Sequence, residues 1–318
     1  MAREVNPPTV RRLGEQVSYK SLISAHVIVN PAAGRGAGER ALDPVARAFR
    51  QQGWAVEVTR TGGPGEGAAL ATAAVHSGAQ RVVAVGGDGT VHEVANGLLR
   101  SGGAVPLGVV PLGTGNDFAK LVGVHGCAPV TAVGRLVTAD ARVFDVGRVG
   151  DERFVNSLGL GFGPAVVRAR NAMPGLRGFL SYFVPVLRAY GGFRPPLVEI
   201  RSAEFRERGY VMMVEVCNGT TAGGDYRFAP DADPADGRLD VCLVRRVALP
   251  RFLLAIPRVM RGTHGRMREV ALFRTRRLTL RSPEEPLLLH LDGELREPGT
   301  NEVTVEVERR KLKVLVAR

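Results

Sequence analysis

VAVGGDGTVHEVANGL, residues 83–98, runs an apolar stretch into a helix-like one through Gly86, Gly87, Asp88, Gly89 and Thr90. RVVAVGG reads as a buried strand and TVHEVANGLLRSG as a helix. Glycines at such a junction let the backbone turn tightly and let a ligand approach amides that a Cβ would shield. A helix N-terminus also favours an anion, so the junction makes a phosphate cradle with Thr90 as hydroxyl donor or N-cap. Taken alone, a capped turn is the competing reading.

The neighbouring text supplies two further turns of the same kind. AHVIVN (25–30) is a β-branched strand ending in NPAAGRG (30–36), and VPLGVVPLG is a strand leading into PLGTGNDFAK (111–120). Between them GERALDPVARAFRQQG forms a helix interrupted or restarted at Pro44, WAVEVTR (54–60) alternates as a strand, and GEGAALATAAVHSGA fits a helix. This alternation implies a parallel sheet with helices on its faces, whose loops gather at the carboxyl edge where ligands bind. Three glycine-rich loops at one edge point to a phosphate donor. No GxGxxG opens a helix and no GK[ST] occurs, which excludes the dinucleotide fingerprint and the Walker loop.

Beyond residue 142 the pattern changes to successive strands with short polar turns, interrupted by helical candidates at 176–193 and 249–265. The expected architecture is a flexible arm at 1–21, a Rossmann-like α/β domain at 22–142, and a β-sandwich at 143–318. The last strand of the sandwich could pack back on the first domain. A chain of 318 residues suits two domains. No apolar run reaches the roughly 18 residues of a membrane span and no signal-peptide core opens the chain, so the expected location is cytoplasmic. Cys127, Cys217 and Cys242 lack zinc-ligand spacing and read as core thiols.

The net charge is +12, and residues 243–277 hold ten arginines and a single acid, Glu269. Such concentration suits an anionic partner, a membrane surface or a nucleic acid; a solvated arginine-rich face is the plainer reading. LPRFLLAIPRVMRG mixes Phe252, Leu253, Ile256 and Met260 with arginines, the composition of an interfacial helix. In the other helical candidate Phe179, Tyr182, Phe183, Val186 and Leu187 could line an acyl pocket. Core packing is the alternative for both segments.

The order NPAAGRG, GGDGTVHEV, GTGNDFA and a late DGE (292–294) resembles the diacylglycerol kinase catalytic family, which includes sphingosine, ceramide and bacterial soluble lipid kinases. NAD kinases, which share GGDGT and a similar first domain, lack the match at GTGNDFA and DGE. The resemblance implies ATP and Mg²⁺ as cofactors and an α/β nucleotide domain followed by a β-sandwich. By its motifs Asn30, Pro31, Ala32, Ala33 and Gly34 would surround the phosphates. Gly87, Asp88, Gly89, Thr90, Val91, His92 and Glu93 would do the same, with Glu93 ordering the loop rather than moving protons. Gly113, Thr114, Asn116 and Asp117 would contact nucleotide, as would Thr59 or, in its place, Thr61.

Phosphoryl transfer to an alcohol needs a metal, a base and fixed donors. Asp88, inside the cradle, makes sense if it holds Mg²⁺ or orients the acceptor. The resemblance makes Glu294 the acceptor of the lipid hydroxyl proton and places Asp292 near the metal, whereas DGE alone reads as a hairpin turn. It also suggests a second, structural Mg²⁺ on Asp233, Asp236 and the carbonyl of Arg238. His290 and His264 read as packing or surface residues. The expected reaction is ATP-dependent phosphorylation of a membrane lipid alcohol, diacylglycerol first, at an anionic membrane surface. The alternatives are a sphingoid-base or ceramide acceptor and a soluble NAD-kinase-like kinase. A nucleic-acid binder would not need Asp88 or Glu294, so no nucleic-acid partner is expected; a homodimer through sandwich edges stays open.

Overall fold

The computed structural model describes residues 23–173 and 180–318, and the expected arm at 1–21 lies outside them. The first half is β1 (Ile23–Val29), α1 (Ala33–Gln51), β2 (Trp54–Arg60), α2 (Glu66–His76), β3 (Arg81–Gly86), α3 (Asp88–Arg100) and β4 (Leu107–Pro111). Two short helices absent from the sequence reading, α4 (Asp117–Leu121) and α5 (Pro129–Val137), follow. The strands pair in parallel in the order β4-β3-β1-β2. β1, β3 and β4 are buried almost throughout. Continuous Val and Ile runs without alternation are what strands covered on both faces require. Helices α1, α3 and α5 supply Val45, Phe49, Val91, Val94, Leu98 and Leu136 to that core.

Pro44 lies inside α1 without interrupting it; the break comes earlier, at Gly34, Arg35 and Gly36, whose φ values are 55°, 59° and 82°. Three consecutive left-handed residues cannot continue a right-handed helix, whereas one proline removes only one hydrogen bond.

The second half comprises β5 (Asp140–Val149), β6 (Glu152–Phe154), β7 (Ser157–Gly161), α6 (Phe162–Asn171), α7 (Leu180–Gly192), β8 (Leu197–Ser202), β9 (Arg206–Cys217) and β10 (Leu239–Arg245). After these come α8 (Leu249–Met260), a 3₁₀ turn, β11 (Val270–Thr275), β12 (Arg277–Arg281), β13 (Leu289–Leu291), β14 (Glu294–Arg296) and β15 (Glu302–Val316). The sequence pattern does not reveal α6 or β11. Within this half the pairings are antiparallel, and β9 joins two layers: its first half pairs with β8 and its second with β7 and β10. Phe154, Leu158, Val214, Val241, Leu278 and Val305 pack between the layers.

The two halves share strands. β15 pairs antiparallel with β12 and β5, and at Val314 it pairs parallel with Leu107 of β4. The division expected after residue 142 falls inside β5, whose start pairs with the end of β15. The fold is thus a parallel α/β half continued into a β-rich half, and the cleft between them opens at the carboxyl edge of β1, β3 and β4. Among the described residues no helix is long and apolar enough to cross a membrane.

Candidate active site

The three glycine-rich loops meet at the strand ends. Asn30 anchors the first: its Oδ1 accepts from the Ala32 amide at 3.0 Å, and its Nδ2 donates to Thr90 Oγ1 at 3.1 Å, tying the loop to α3. A Cβ on Gly34 would lie 2.6 Å from the Leu112 carbonyl oxygen, so the first loop packs on the third. The second and third touch glycine to glycine: a Cβ on Gly113 would lie 2.6 Å from Gly87 Cα. Asn116, at φ 50°, closes the third loop by accepting from the Gly113 amide and donating to its carbonyl. We expect Gly113→Ala to lower stability by about 1–3 kcal/mol in chemical denaturation, because the contact is backbone against backbone. Gly63→Ala, which would meet nothing within 4 Å, should change it little.

Four carboxylates face this cradle. Asp88 opens α3, and its Oδ1 accepts from the Phe118 amide at 3.3 Å. Asp117 accepts from the Gly224 amide at 2.9 Å and from Lys120 Nζ at 3.1 Å. Lys120 also reaches the Gly224 carbonyl, so α4 is latched to the loop after β9. Sequence reasoning misses Lys120, whose only signal is its place at the end of GTGNDFAK. Asp292, at φ 50°, accepts from the amides of Val155, Asn156 and Ser157 at 2.8–3.0 Å. It also pairs with His92 Nδ1 at 2.7 Å, joining α3 to the DGE turn across the chain. Glu294, exposed at the start of β14, puts Oε1 where a Cβ on Gly89 would lie 2.7 Å away.

These environments separate the acids electrically. Burial, assisted by the charges of Asp117 and Asp292, pushes Asp88 up to about 7 against the opposing amides of Phe118 and Asp117. Burial likewise raises Asp117, with Lys120 opposing it. Burial works against the Asp292 anion too, but His92 and the backbone amides overcome it and hold this carboxyl below its usual range.

The cradle is one end of a cavity of about 440 Å³. Asn30, Ala33, Gly34, Gly87, Asp88, Gly89, Thr90 and Val91 line that end, with Gly113, Thr114, Asp117, Asp292 and Glu294. The other end is an apolar chamber walled by Phe162, Val186, Met212, Tyr226, Phe252 and Ile256. Phe252 and Ile256, expected at an interface, therefore face inward, while Leu253 is exposed. Phe179 and the Tyr182 side chain lie outside the described residues.

Other expected site residues stand apart. Pro31, Ala32 and Asn116 shape loops without lining the cavity, and His92 acts behind Asp292. Glu93 accepts from the amides of Gly65 and Gly67 at the start of α2. Thr59 is on the edge strand, bonded to His26, and neither it nor Thr61 lines the cavity. Asp233 accepts from the Ala235 amide and Asp236 from the Arg238 amide, each within its own turn. The Arg274 guanidinium stands among Asp236, Asp240 and the Asp231 carbonyl. Among the described residues no group of three or more His, Cys, Asp or Glu side chains is placed to hold a metal by itself. Asp233, Asp236 and the Arg238 carbonyl, the groups expected to hold a structural cation, lie together in the loop before β10, with Arg274 beside Asp236.

Nucleotide and magnesium nevertheless fit the cradle. Its glycines leave bare amides, and a half-buried Asp88 that keeps its proton to about 7 gains if a cation restores its ionised form. A magnesium ion held by one or two carboxylates completes its shell with phosphate and water oxygens rather than with a protein cage.

Residues 24–149 match the diacylglycerol kinase catalytic domain, and residues 156–316 match the YegS C-terminal NAD kinase beta sandwich-like domain. A Bacillus subtilis (strain 168) protein named diacylglycerol kinase is 29% identical over 271 residues, covering 85% of this chain and 89% of its own. A Klebsiella pneumoniae (strain 342) protein named "Probable lipid kinase YegS-like" is 32% identical over 65% of this chain and 70% of its own. A diacylglycerol kinase structure from Bacillus anthracis str. Sterne superposes with a TM-score of 0.68 at 19% identity, covering 93% and 97% of the two chains. An NAD kinase from Archaeoglobus fulgidus in complex with ATP scores 0.52 at 13% identity over 92% and 94%, which is a likeness of fold. With both domain models matched in order along the chain, this protein belongs to the diacylglycerol kinase and YegS-like family of lipid kinases.

Proposed function

We propose that this protein transfers the γ-phosphate of ATP to the hydroxyl of a lipid alcohol, with diacylglycerol, yielding phosphatidic acid, as the first acceptor and a sphingoid-base or ceramide-type lipid as the alternative. The observation that carries this reading is the continuous cavity in which an amide-lined cradle and four carboxylates open into an apolar chamber. A polar acceptor of the NAD-kinase kind would bury its own polar groups against Phe162, Val186 and Met212 at a cost.

In this reading the cradle amides and the α3 N-terminus bind the phosphates. Magnesium, when bound, neutralises charge on the transferring group. Asp88 and Asp117 hold negative charge towards that cation, and Asp292 is kept ionised and oriented by His92. Glu294 stands at the mouth of the α3 N-terminus, reached by a hydroxyl coming from the chamber, and takes its proton. The test is a screen of lipid alcohols with labelled ATP and magnesium. Label in the lipid phase supports the proposal, and a screen without labelled lipid overturns it.

A membrane surface is the proposed partner. Leu249, Leu253 and Leu254 of α8 are 45%, 42% and 58% exposed, on the helix whose other side walls the chamber. Several arginines of the basic segment are neutralised, Arg245 by Glu207 and Arg274 by Asp240. Arg258, Arg261 and Arg266, on α8 or just after it, have no acidic partner among the described residues. Flotation with anionic vesicles should fall as salt rises. Binding insensitive to ionic strength would remove the electrostatic part.

A further inference from the structure

One polar pair interrupts the apolar chamber. Glu215 comes from the C-terminal end of β9 and His290 from β13, two residues before Asp292, and both line the cavity. They are 1% and 6% exposed, with Glu215 Oε2 3.4 Å from His290 Nε2. The chain makes room for them: a Cβ on Gly159 would lie 2.2 Å from His290 Nε2 and 2.5 Å from Glu215 Oε2, and one on Gly163 would lie 3.0 Å from the ring. Burial opposes the charged imidazole, yet the carboxylates of Glu215, Asp292 and Asp117 raise its pKa above the ordinary value. Among the described residues Glu215 Oε1, unlike Oε2, has no hydrogen-bond partner.

A buried carboxylate oxygen without a donor is costly, and such atoms find a partner in protein, water or ligand. A carboxylate oxygen only accepts, so the missing group must donate. We propose that Glu215 selects the acceptor lipid, its Oε1 accepting a hydrogen bond from a second O–H or N–H carried within about two carbons of the hydroxyl that is phosphorylated. The inference rests on the lipid-kinase reading and narrows it. Apart from the hydroxyl that is phosphorylated, a diacylglycerol offers only oxygens that accept, whereas a long-chain amide, amine or diol offers the donor, so the inference moves the sphingoid-base or ceramide-type acceptor ahead of diacylglycerol. His290 is a positioning residue that holds the Glu215 carboxylate in place.

Two acceptors that differ at one atom test this. N-oleoylethanolamine carries N–H where ethylene glycol monooleate carries an ester oxygen. The expected result is that the unmodified protein prefers the amide by on the order of 10- to 100-fold in kcat/KM, the range of a hydrogen bond to a charged group. In the double variant Glu215→Leu/His290→Leu, which removes both charges together, the ratio should fall toward 1. A general loss of folded protein scales both acceptors alike and leaves the ratio unmoved. A ratio near 1 in the unmodified protein means that water satisfies Oε1 and overturns the proposal, as does a double variant that keeps the original ratio. Failure to phosphorylate these lipids or diacylglycerol at all overturns the kinase reading itself.

Discussion

Asp88→Asn should lower kcat by about 10²- to 10³-fold while making the ligand-free protein more stable above neutral pH. The stability gain follows from where Asp88 sits. In the folded chain its carboxyl keeps a proton to about pH 7, whereas in the unfolded chain it loses it near 4. Between those values the folded state binds more protons, so stability falls as pH rises from about 4 to about 7 and stays reduced above. Asparagine has no proton to lose. The variant should gain on the order of 1–3 kcal/mol over the parent at pH 8, shrinking toward zero at pH 4. Denaturation at the two pH values, with magnesium and ATP absent, reads this directly. Adding magnesium and ATP should reverse the order, because a ligand that needs the carboxylate stabilises only the parent. An Asp88→Asn protein that phosphorylates lipid at the parent rate, or that is less stable at pH 8, would refute the role given to this residue.

Glu294→Gln is expected to cost about 10²- to 10⁴-fold in kcat, the usual contribution of a positioned base, with no loss of fold. Glu294 is exposed, and its side chain makes no hydrogen bond or ion pair among the described residues, so the amide replaces it without stranding a partner. Asp292 is the informative contrast. It accepts three backbone amides and pairs with His92 in a buried site, so Asp292→Asn should lose stability as well as activity. Thermal unfolding separates the two, and a Glu294→Gln protein with full turnover would move the base elsewhere.

The glycine loops are legible because each lies within a few residues of its own strand end and repeats the same demand for bare amides. GGDGT, NPAAGRG and GTGNDFAK are therefore recognisable as strand-end loops by residue type and spacing alone. Thr59 rests on local resemblance, and its strand lies at the sheet edge, outside the cavity. The acidic turn at 231–240 gives no sign in its composition of the distant Arg274, which pairs with Asp236 and Asp240. Helices α4 and α6 escape notice because five and ten residues give too little periodicity to outweigh the neighbouring loops.

Sequence by itself determined the parallel α/β half, the antiparallel text after residue 142 and the family, since these depend on residue type at short spacing. Only the tertiary structure decided that β15 returns to pair with β4, that His92 holds Asp292 across 200 positions, and that Glu215 meets His290 in an apolar wall. Those pairings join residues far apart in the chain, and their energies come from burial and charge that exist only once the two halves have closed on each other.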